Sequence, residues 1–226
     1  MTSWRAARVN PALPAMLALT FSTGVADAVG YLALDKVFTG NMTGNVVILG
    51  MGAAGADGLP VVGPALALAA FLAGAAVGGR ALRRLPGAPL RQAPVLLALA
   101  GLAFTAAAVW FGVGAVRIGT PAAFGITAVL AAAMGLQAAV ARGIAVQDVT
   151  TVVVTSTLTG LAADSWFGAR ADQPWRRRLG AVALIGLGAL VGALLVAYRP
   201  WAGVALTAVL TLGVATAVAT ANRRSP

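Results

Sequence analysis

The sequence predicts an all-α, polytopic membrane protein. Of its 226 residues, 60% are hydrophobic and only 10% are charged, whereas soluble domains carry about 25% charged residues. The chain also contains several successive apolar stretches of about 20 residues, the length an α-helix needs to cross a bilayer core about 30 Å thick. The positive charges behind the net charge of +10 fall between these stretches, which favours a role in membrane orientation over nucleic-acid binding.

Six segments are long and apolar enough to cross the membrane. They are residues 13–34, 61–79, 93–115, 121–141, 179–198 and 201–221. Two further segments, 38–55 and 144–163, are moderately apolar but rich in Thr, Asn, Ser and Gly. The distribution of the basic residues decides whether these two segments cross.

The positive charges favour six spans. If neither ambiguous segment crosses, only Lys36, Arg117 and Arg199 of the 16 basic residues lie opposite the N-terminus. If both crossed, the basic residues would divide far more evenly between the two sides. Cytoplasmic loops carry the excess of Lys and Arg, so we expect six spans with both termini cytoplasmic. The Ala, Gly and Arg bias is typical of GC-rich codons and points to a bacterial inner membrane.

The two ambiguous segments then enter and leave the membrane from the same side. This predicts two re-entrant half-helix segments, at 38–55 and 144–163. Non-helical backbone at membrane depth is tolerated only where it is buried in protein or lines a wet cavity. We therefore expect both segments to line a cavity.

The chain reads as two half-repeats, 1–118 and 119–226, in one membrane domain. Each half has a span with a polar residue, a Thr-rich re-entrant segment and two plain spans. Three pairs of motifs correspond: Asp27-Ala28 with Gln137-Ala138, Thr43-Gly44-Asn45 with Thr155-Ser156-Thr157, and Gly74/Gly78 with Gly188/Gly192. Because each half has three spans, the second half is inverted. A 3+3 inverted repeat is a recurrent transporter plan, with its binding site where interrupted segments meet.

Asp27 is the first candidate for function. It lies inside the first span, where a central Asp costs about 2.5–3.5 kcal/mol on insertion scales. Thr20, Thr23, Asp27 and Tyr31 form one polar stripe at helical spacing. The stripe could hold a proton or cation. The alternative is that Asp27 bonds to Thr23 or to a loop amide only to fix the re-entrant segment.

The re-entrant segments supply the remaining candidates. Asn and Thr between residues 39 and 45 can cap a half-helix whose N–H groups attract anions or solute oxygens; an ordinary N-cap is the alternative. Thr155, Ser156 and Thr157 can cap a second half-helix after an extended stretch at 150–154. The predicted solute or ion contacts are Asp27, Thr23, Asn41, Thr43, Gly44, Asn45, Gln137, Thr155, Thr157 and Thr159.

Several other charged residues are expected to have structural roles. Asp148 and Asp164 are expected at the mouth of the second re-entrant segment, solvated or paired with Arg. Asp35, Lys36, Asp57 and Asp172 are expected to be ordinary loop charges, and the run Arg176-Arg177-Arg178 an orientation signal. Gly74/Gly78 and Gly188/Gly192 allow close helix packing within a protomer or between two protomers of a homodimer.

The run Gly24-Val-Ala-Asp27-Ala-Val-Gly30, followed by Phe38-Thr-Gly-Asn-Met-Thr-Gly-Asn45, resembles the hallmark of the YoaK-like family of uncharacterised bacterial integral membrane proteins. Gly135-Leu-Gln137 and residues 151–159 resemble that family's Gly-x-Gln and Thr-Gly-Thr-Leu-Thr patterns. Ser156 stands where the family usually has glycine, and Ala138 where it often has Asn. The likeness covers about residues 14–220. It implies a multi-span membrane protein and supplies no substrate.

The composition excludes several chemistries. The chain contains neither cysteine nor histidine, which removes disulfides, thiol nucleophiles, Cys/His metal sites and histidine proton shuttles. It also has no nucleotide-binding loop. We expect no metal, no cofactor and no enzymatic activity, and we expect the partners to be the lipid bilayer and a small polar solute or ion.

Three functions remain open at this point. The first is a passive or proton-coupled permease for a small polar solute, with its site between inverted halves. The second is a channel of the same architecture, in which Asp27 sets cation preference. The third is a non-transporting scaffold or lipid-interacting protein whose polar loops are purely structural.

Overall fold

The computed structural model describes residues 12–83, 88–114, 116–144 and 154–224. Within these ranges the fold consists of eight helices, six long and two short. They are α1 Ala12–Ala33, α2 Met42–Ala53, α3 Val62–Arg83, α4 Ala88–Val113, α5 Pro121–Ile144, α6 Val154–Ala163, α7 Trp175–Tyr198 and α8 Pro200–Arg224. The predicted all-α class with six long apolar helices is confirmed, and the two short apolar helices fall inside the two ambiguous segments.

The boundaries differ from the predicted spans at the polar ends. α3 continues to Arg83, and α4 begins at Ala88 instead of at residue 93. Helical hydrogen bonding continues past the apolar part of a span, so hydropathy alone places these ends short. Within 144–163, α6 occupies only the second half, while residues 145–153, including Asp148 and most of the predicted extended stretch, lie outside the described residues.

Local chemistry accounts for several of the helix ends. Pro121 and Pro200 are the first residues of α5 and α8, positions where the missing N–H and fixed φ of proline suit a helix start. After α1, Asp35 and Lys36 adopt left-handed φ values of 70° and 56°, and these two residues turn the chain back on itself. Arg199 alone, in extended conformation, separates α7 from α8.

The helix contacts have a pairwise pattern. α1 packs along α7 as α3 packs along α5, and α4 contacts α5 as α8 contacts α1. α4 and α8 pack on each other, and each short helix contacts the long helix that follows it. Exchanging helices α1–α4 with α5–α8, in order, converts each of these contacts into another member of the set, except the α4/α8 contact, which maps onto itself.

Glycines set the closest helix crossings. A Cβ atom added at Gly188 of α7 would overlap the Phe21 carbonyl oxygen of α1, and one at Gly74 of α3 would overlap the Ala132 carbonyl oxygen of α5. Gly24 and Gly135 face α7 and α3 in the same way. These two crossings therefore require glycine, as in other closely packed membrane helices.

The packing also fixes how α1 corresponds to α5. A Cβ at Gly192 would lie 2.9 Å from the Ala28 Cβ, and one at Gly78 would lie 2.7 Å from the Ala139 Cβ. Ala28 therefore corresponds to Ala139, and Asp27 to Ala138. The predicted match of Asp27 with Gln137 is wrong by one residue. Matching the two polar side chains gives Gln137, whereas matching the helix faces gives Ala138.

We predict that Gly188→Ala lowers the stability of the protein, whereas Gly186→Ala on the same helix does not. The new methyl group at position 188 would force α7 away from α1, and such overpacking costs about 1–3 kcal/mol. A Cβ at Gly186 meets no atom within 4 Å, and alanine is the better helix former by about 1 kcal/mol. Thermal unfolding in detergent, followed by tryptophan fluorescence, measures both variants. Equal midpoints would contradict the assigned crossing.

Candidate functional site

The loop after α1 runs back alongside that helix. The N–H of Gly40 donates a 2.6 Å hydrogen bond to Oδ1 of Asp27. Asp27 lies six residues before Ala33, the last residue of α1, which corresponds to about 9 Å along the helix axis. The chain therefore returns by about one and a half helical turns before α2 begins.

A glycine at position 40 lets the loop lie against two helices. A Cβ there would lie 2.9 Å from the Met134 terminal methyl of α5 and 3.0 Å from the Thr23 methyl of α1. The Thr23 hydroxyl donates within its own helix, to the Leu19 carbonyl oxygen at 2.9 Å. The methyl group of Thr23 therefore packs against the loop at Gly40.

Three donors converge on one oxygen of Asp27. Besides the Gly40 N–H, Oδ1 accepts from the Thr39 hydroxyl at 3.3 Å and from the Asn41 N–H at 3.4 Å. Hydrogen bonds to a carboxylate offset part of the cost of removing its charge from water. The predicted bond from a loop amide to Asp27 is thus present, whereas a bond from Thr23 is not among those of the described residues.

The other oxygen of Asp27, Oδ2, has no hydrogen-bond partner among the described residues. Asp27 is half-buried and lines a cavity. The two carboxylate oxygens therefore differ: Oδ1 holds the loop, and Oδ2 is left as an acceptor without a donor among the described residues.

Two asparagines shape the start of α2. Asn41 is its N-cap, and Oδ1 of Asn41 accepts from the Gly44 N–H at 3.2 Å. Asn45 is buried and bonds the backbone of Phe38 twice: its Oδ1 accepts from the Phe38 N–H at 2.9 Å, and its Nδ2 donates to the Phe38 carbonyl oxygen at 2.6 Å. The side-chain oxygens of Asp27 and Asn41 thus already occupy the N–H groups of Gly40, Asn41 and Gly44.

A cavity of about 530 Å³ lies where α1, α2, α6 and α7 approach one another. This size is within the range of about 300–1,000 Å³ typical of small-molecule sites. The Tyr31 and Phe38 rings, which both line it, stack with centroids 5.1 Å apart and planes at 27°. The lining residues are Asp27, Tyr31, Phe38, Gly40, Asn41, Thr43, Gly44, Val47, Ile48, Val154, Thr155 and Ile185.

Five of the ten predicted contact residues line this cavity. They are Asp27, Asn41, Thr43, Gly44 and Thr155. Thr23 and Asn45 lie behind the loop with their side chains bonded to backbone groups. Thr157 and Thr159 lie further along α6 than Thr155, and the Thr159 hydroxyl donates to the Thr155 carbonyl oxygen at 2.9 Å.

Gln137 lies in the interior of the bundle. Its Oε1 accepts from the Thr211 hydroxyl of α8 at 3.1 Å, and it is 1% exposed. Nε2 of Gln137 is buried without a partner in the described part of the chain. Gln137 thus links α5 to α8 and is not among the residues that line the cavity.

Sequence reasoning missed the apolar side of the cavity. Val47, Ile48 and Val154 are ordinary aliphatic residues beside the predicted caps, and Ile185 comes from α7, far along the chain. Nothing in the sequence distinguishes Ile185 from its aliphatic neighbours. Tyr31 could have been predicted to line the cavity, because it continues the polar stripe of Asp27.

Two basic residues outside the predicted site hold the loops around the short helices. Arg178 forms an ion pair of 2.7 Å with Asp164, which confirms the expectation that Asp164 is solvated or paired with Arg. Arg178 therefore has a structural contact in addition to the orientation role predicted for the run 176–178. Lys36, expected to be an ordinary loop charge, donates a 2.5 Å hydrogen bond to the Gly58 carbonyl oxygen. That bond joins the loop before α2 to the loop after it.

The helices define this chain as a multi-pass helical membrane protein. It belongs to the DUF1275 family, described as a protein of unknown function, which matches residues 15–218. A relative, UPF0700 transmembrane protein YoaK of Bacillus subtilis (strain 168), is 29% identical over 163 residues, covering 70% of this chain and 68% of the relative. The predicted family is confirmed. No solved structure matches the chain.

We predict that Asn45→Ala destabilises the protein, whereas Thr43→Val does not. Removing the Asn45 amide leaves the Phe38 N–H and carbonyl without partners, at a cost of about 1–3 kcal/mol for each buried group. Thr43 is exposed and makes no side-chain hydrogen bond within the described residues, and valine has nearly its shape. The thermal midpoint in detergent checks both. A drop for Thr43→Val as large as that for Asn45→Ala would contradict the assignment.

Proposed function

We propose that this protein is a non-enzymatic permease that moves a small polar solute across a bacterial inner membrane. The observation that carries the proposal is the cavity in which Asp27 meets the N-terminal ends of α2 and α6. Ionisable residues inside membrane spans are expensive and usually functional, and transporter sites form where interrupted segments of two repeats approach each other.

The proposed architecture is a 3+3 inverted repeat of residues 1–118 and 119–226. Its support is the exchange pattern of the helix contacts, together with the matched glycines of the α1/α7 and α3/α5 crossings. Three long helices in each half invert the second half. The distribution of arginine supports placing both termini in the cytoplasm.

In this proposal α2 is a re-entrant helix. The loop that precedes it descends along α1 to Asp27, and a Cβ at Gly52 near its end would lie 2.9 Å from the Pro60 carbonyl oxygen, just before α3 begins. The bond between Lys36 and Gly58 holds the entering and leaving loops together. These contacts support entry and exit on one side. For α6, only the helix and the loop that follows it are described.

The proposed roles follow from the chemistry of the lining. Oδ2 of Asp27 accepts a proton, a cation or a hydrogen-bond donor of the solute. The hydroxyls of Thr43 and Thr155 and the amide of Asn41 bind polar atoms of the solute. Because Ala138 occupies the position equivalent to Asp27, the second half supplies no matching carboxylate. Each protomer therefore has one acidic residue, Asp27, in the proposed site.

We predict that Asp27→Asn weakens solute binding by about 10- to 100-fold and removes uptake while the protein stays folded. Asparagine keeps the oxygen that accepts from Gly40 but loses the charge, so the loop stays attached. Asp57→Asn, an equal charge change in an exposed loop, serves as the control and should behave as wild type. A thermal-shift screen of purified protein against small metabolites identifies the solute, since a ligand at 100 times its Kd adds about 2.7 kcal/mol.

Uptake of the identified solute into proteoliposomes then separates the alternatives. The permease predicts saturable flux that Asp27→Asn removes and Asp57→Asn retains. Flux that rises linearly with concentration would identify a channel instead. If folded wild-type protein binds and transports no solute, the permease is contradicted and the scaffold function gains support.

A further inference from the structure

We infer that the cavity beside Asp27 selects solutes that carry an ammonium group on an apolar body. This inference rests on the proposed permease function and deepens it by naming the substrate class. It follows from the charge, the aromatic pair and the aliphatic wall of the cavity, taken together.

The charge of the lining has one sign. Asp27 is the charged residue among the described residues that line the cavity, and Lys and Arg are absent from that set. A carboxylate removed from water attracts a cation strongly when no fixed positive group is nearby. An anionic solute would meet Asp27 without a compensating charge, so the site disfavours carboxylates and phosphates.

The N-terminal end of α2 does not reverse this preference. A helix N-terminus attracts anions through its free N–H groups, but the N–H groups of Gly40 and Asn41 already donate to Asp27 and that of Gly44 to Asn41. The protein's own carboxylate thus occupies the place that a bound anion would take. Among the described residues, the Thr43 N–H is the first-turn donor left without a bond, whereas Asp27 keeps its negative charge and the acceptor Oδ2.

The aromatic pair suits the same charge. Tyr31 and Phe38 line the cavity together with Asp27 and stack on each other. Ring faces attract Lys, Arg and ligand ammonium groups within about 6 Å of the ring centroid. A carboxylate and two rings lining one cavity are suited to an organic ammonium group.

The rest of the lining argues for an organic cation over a metal ion. Hard cations such as Ca²⁺ take about 6–8 oxygen ligands, whereas one wall here is aliphatic, formed by Val47, Ile48, Val154 and Ile185. A cavity of about 530 Å³ is also much larger than a bare ion. An alkyl or aryl group attached to the ammonium fills that space and covers the aliphatic wall.

The same geometry makes the proton a competitor of the solute. Oδ2 of Asp27 can hold a proton or an ammonium group but not both, so the two compete for one position. The other ionisable group in the described lining is the Tyr31 phenol. A proton bound at Asp27 and a bound ammonium group therefore exclude each other.

The test uses three probes of matched shape: n-butylammonium, n-butanol and butyrate, which carry charges of +1, 0 and −1 at pH 7. Each is titrated into detergent-purified protein, and the thermal midpoint and ligand-observed NMR report binding. We expect n-butylammonium to bind and the other two not to. Asp27→Asn should weaken its binding by about 10- to 100-fold, since charged hydrogen bonds contribute on that scale, and Asp57→Asn should leave it unchanged.

A pair of variants tests the aromatic contribution. Tyr31→Phe keeps the ring and should bind n-butylammonium as wild type does. Tyr31→Leu removes the ring and should weaken binding by about 2- to 5-fold, the scale of an exposed cation–π contact. Equal affinity in Tyr31→Leu and Tyr31→Phe would overturn the role of the ring.

The outcomes separate this inference from the proposed function. Binding of n-butanol or butyrate at least as tight as that of n-butylammonium overturns the ammonium class. If a neutral solute from the metabolite screen binds and depends on Asp27, the permease stands and only the substrate class fails. If no probe and no metabolite binds to folded protein, both fail.

Discussion

The fold around the cavity depends on the hydrogen bond between the carboxylate of Asp27 and the backbone N–H of Gly40. It carries the loop after α1 back toward the middle of that helix, and so sets where α2 begins. Polar backbone at membrane depth must find partners within the protein, and here the carboxylate supplies one for two successive N–H groups and the Thr39 hydroxyl. Without this anchor, the N–H groups of Gly40 and Asn41 would lose the partner that the carboxylate supplies.

A structural and a functional role for Asp27 are therefore compatible. Its Oδ1 is committed to the loop, whereas its Oδ2 has no partner among the described residues. The three donors also ease the burial of the charge, so the carboxylate can persist in the span although no described residue gives it a basic partner. A residue that both fixes a loop and offers an open oxygen holds that oxygen in a defined position, which is what selective binding requires.

The sequence predicted the long helices and the capping of α2 because these depend on local properties. Length and hydropathy identify the spans, and Asn41 acts within three residues of itself. The sequence did not predict contacts that depend on how helices cross. The bond from Gln137 to Thr211 joins two helices that lie far apart in the chain. The place of Ile185 in the cavity and the match of Asp27 with Ala138 are set by glycine crossings. The bonds between Asn45 and Phe38 could not be predicted either, because they form only when the loop before α2 turns back.

The side of the membrane on which the chain enters and leaves α2 tests this account most directly. Because the chain has no cysteine, single cysteines introduced at Asp35 and at Asp57 can be labelled in intact cells with a membrane-impermeant maleimide, without background reaction. The account predicts that both positions react from the same side of the membrane. If one reacts in intact cells and the other only after the membrane is opened, α2 crosses the bilayer, and the anchored return of the loop to Asp27 is contradicted.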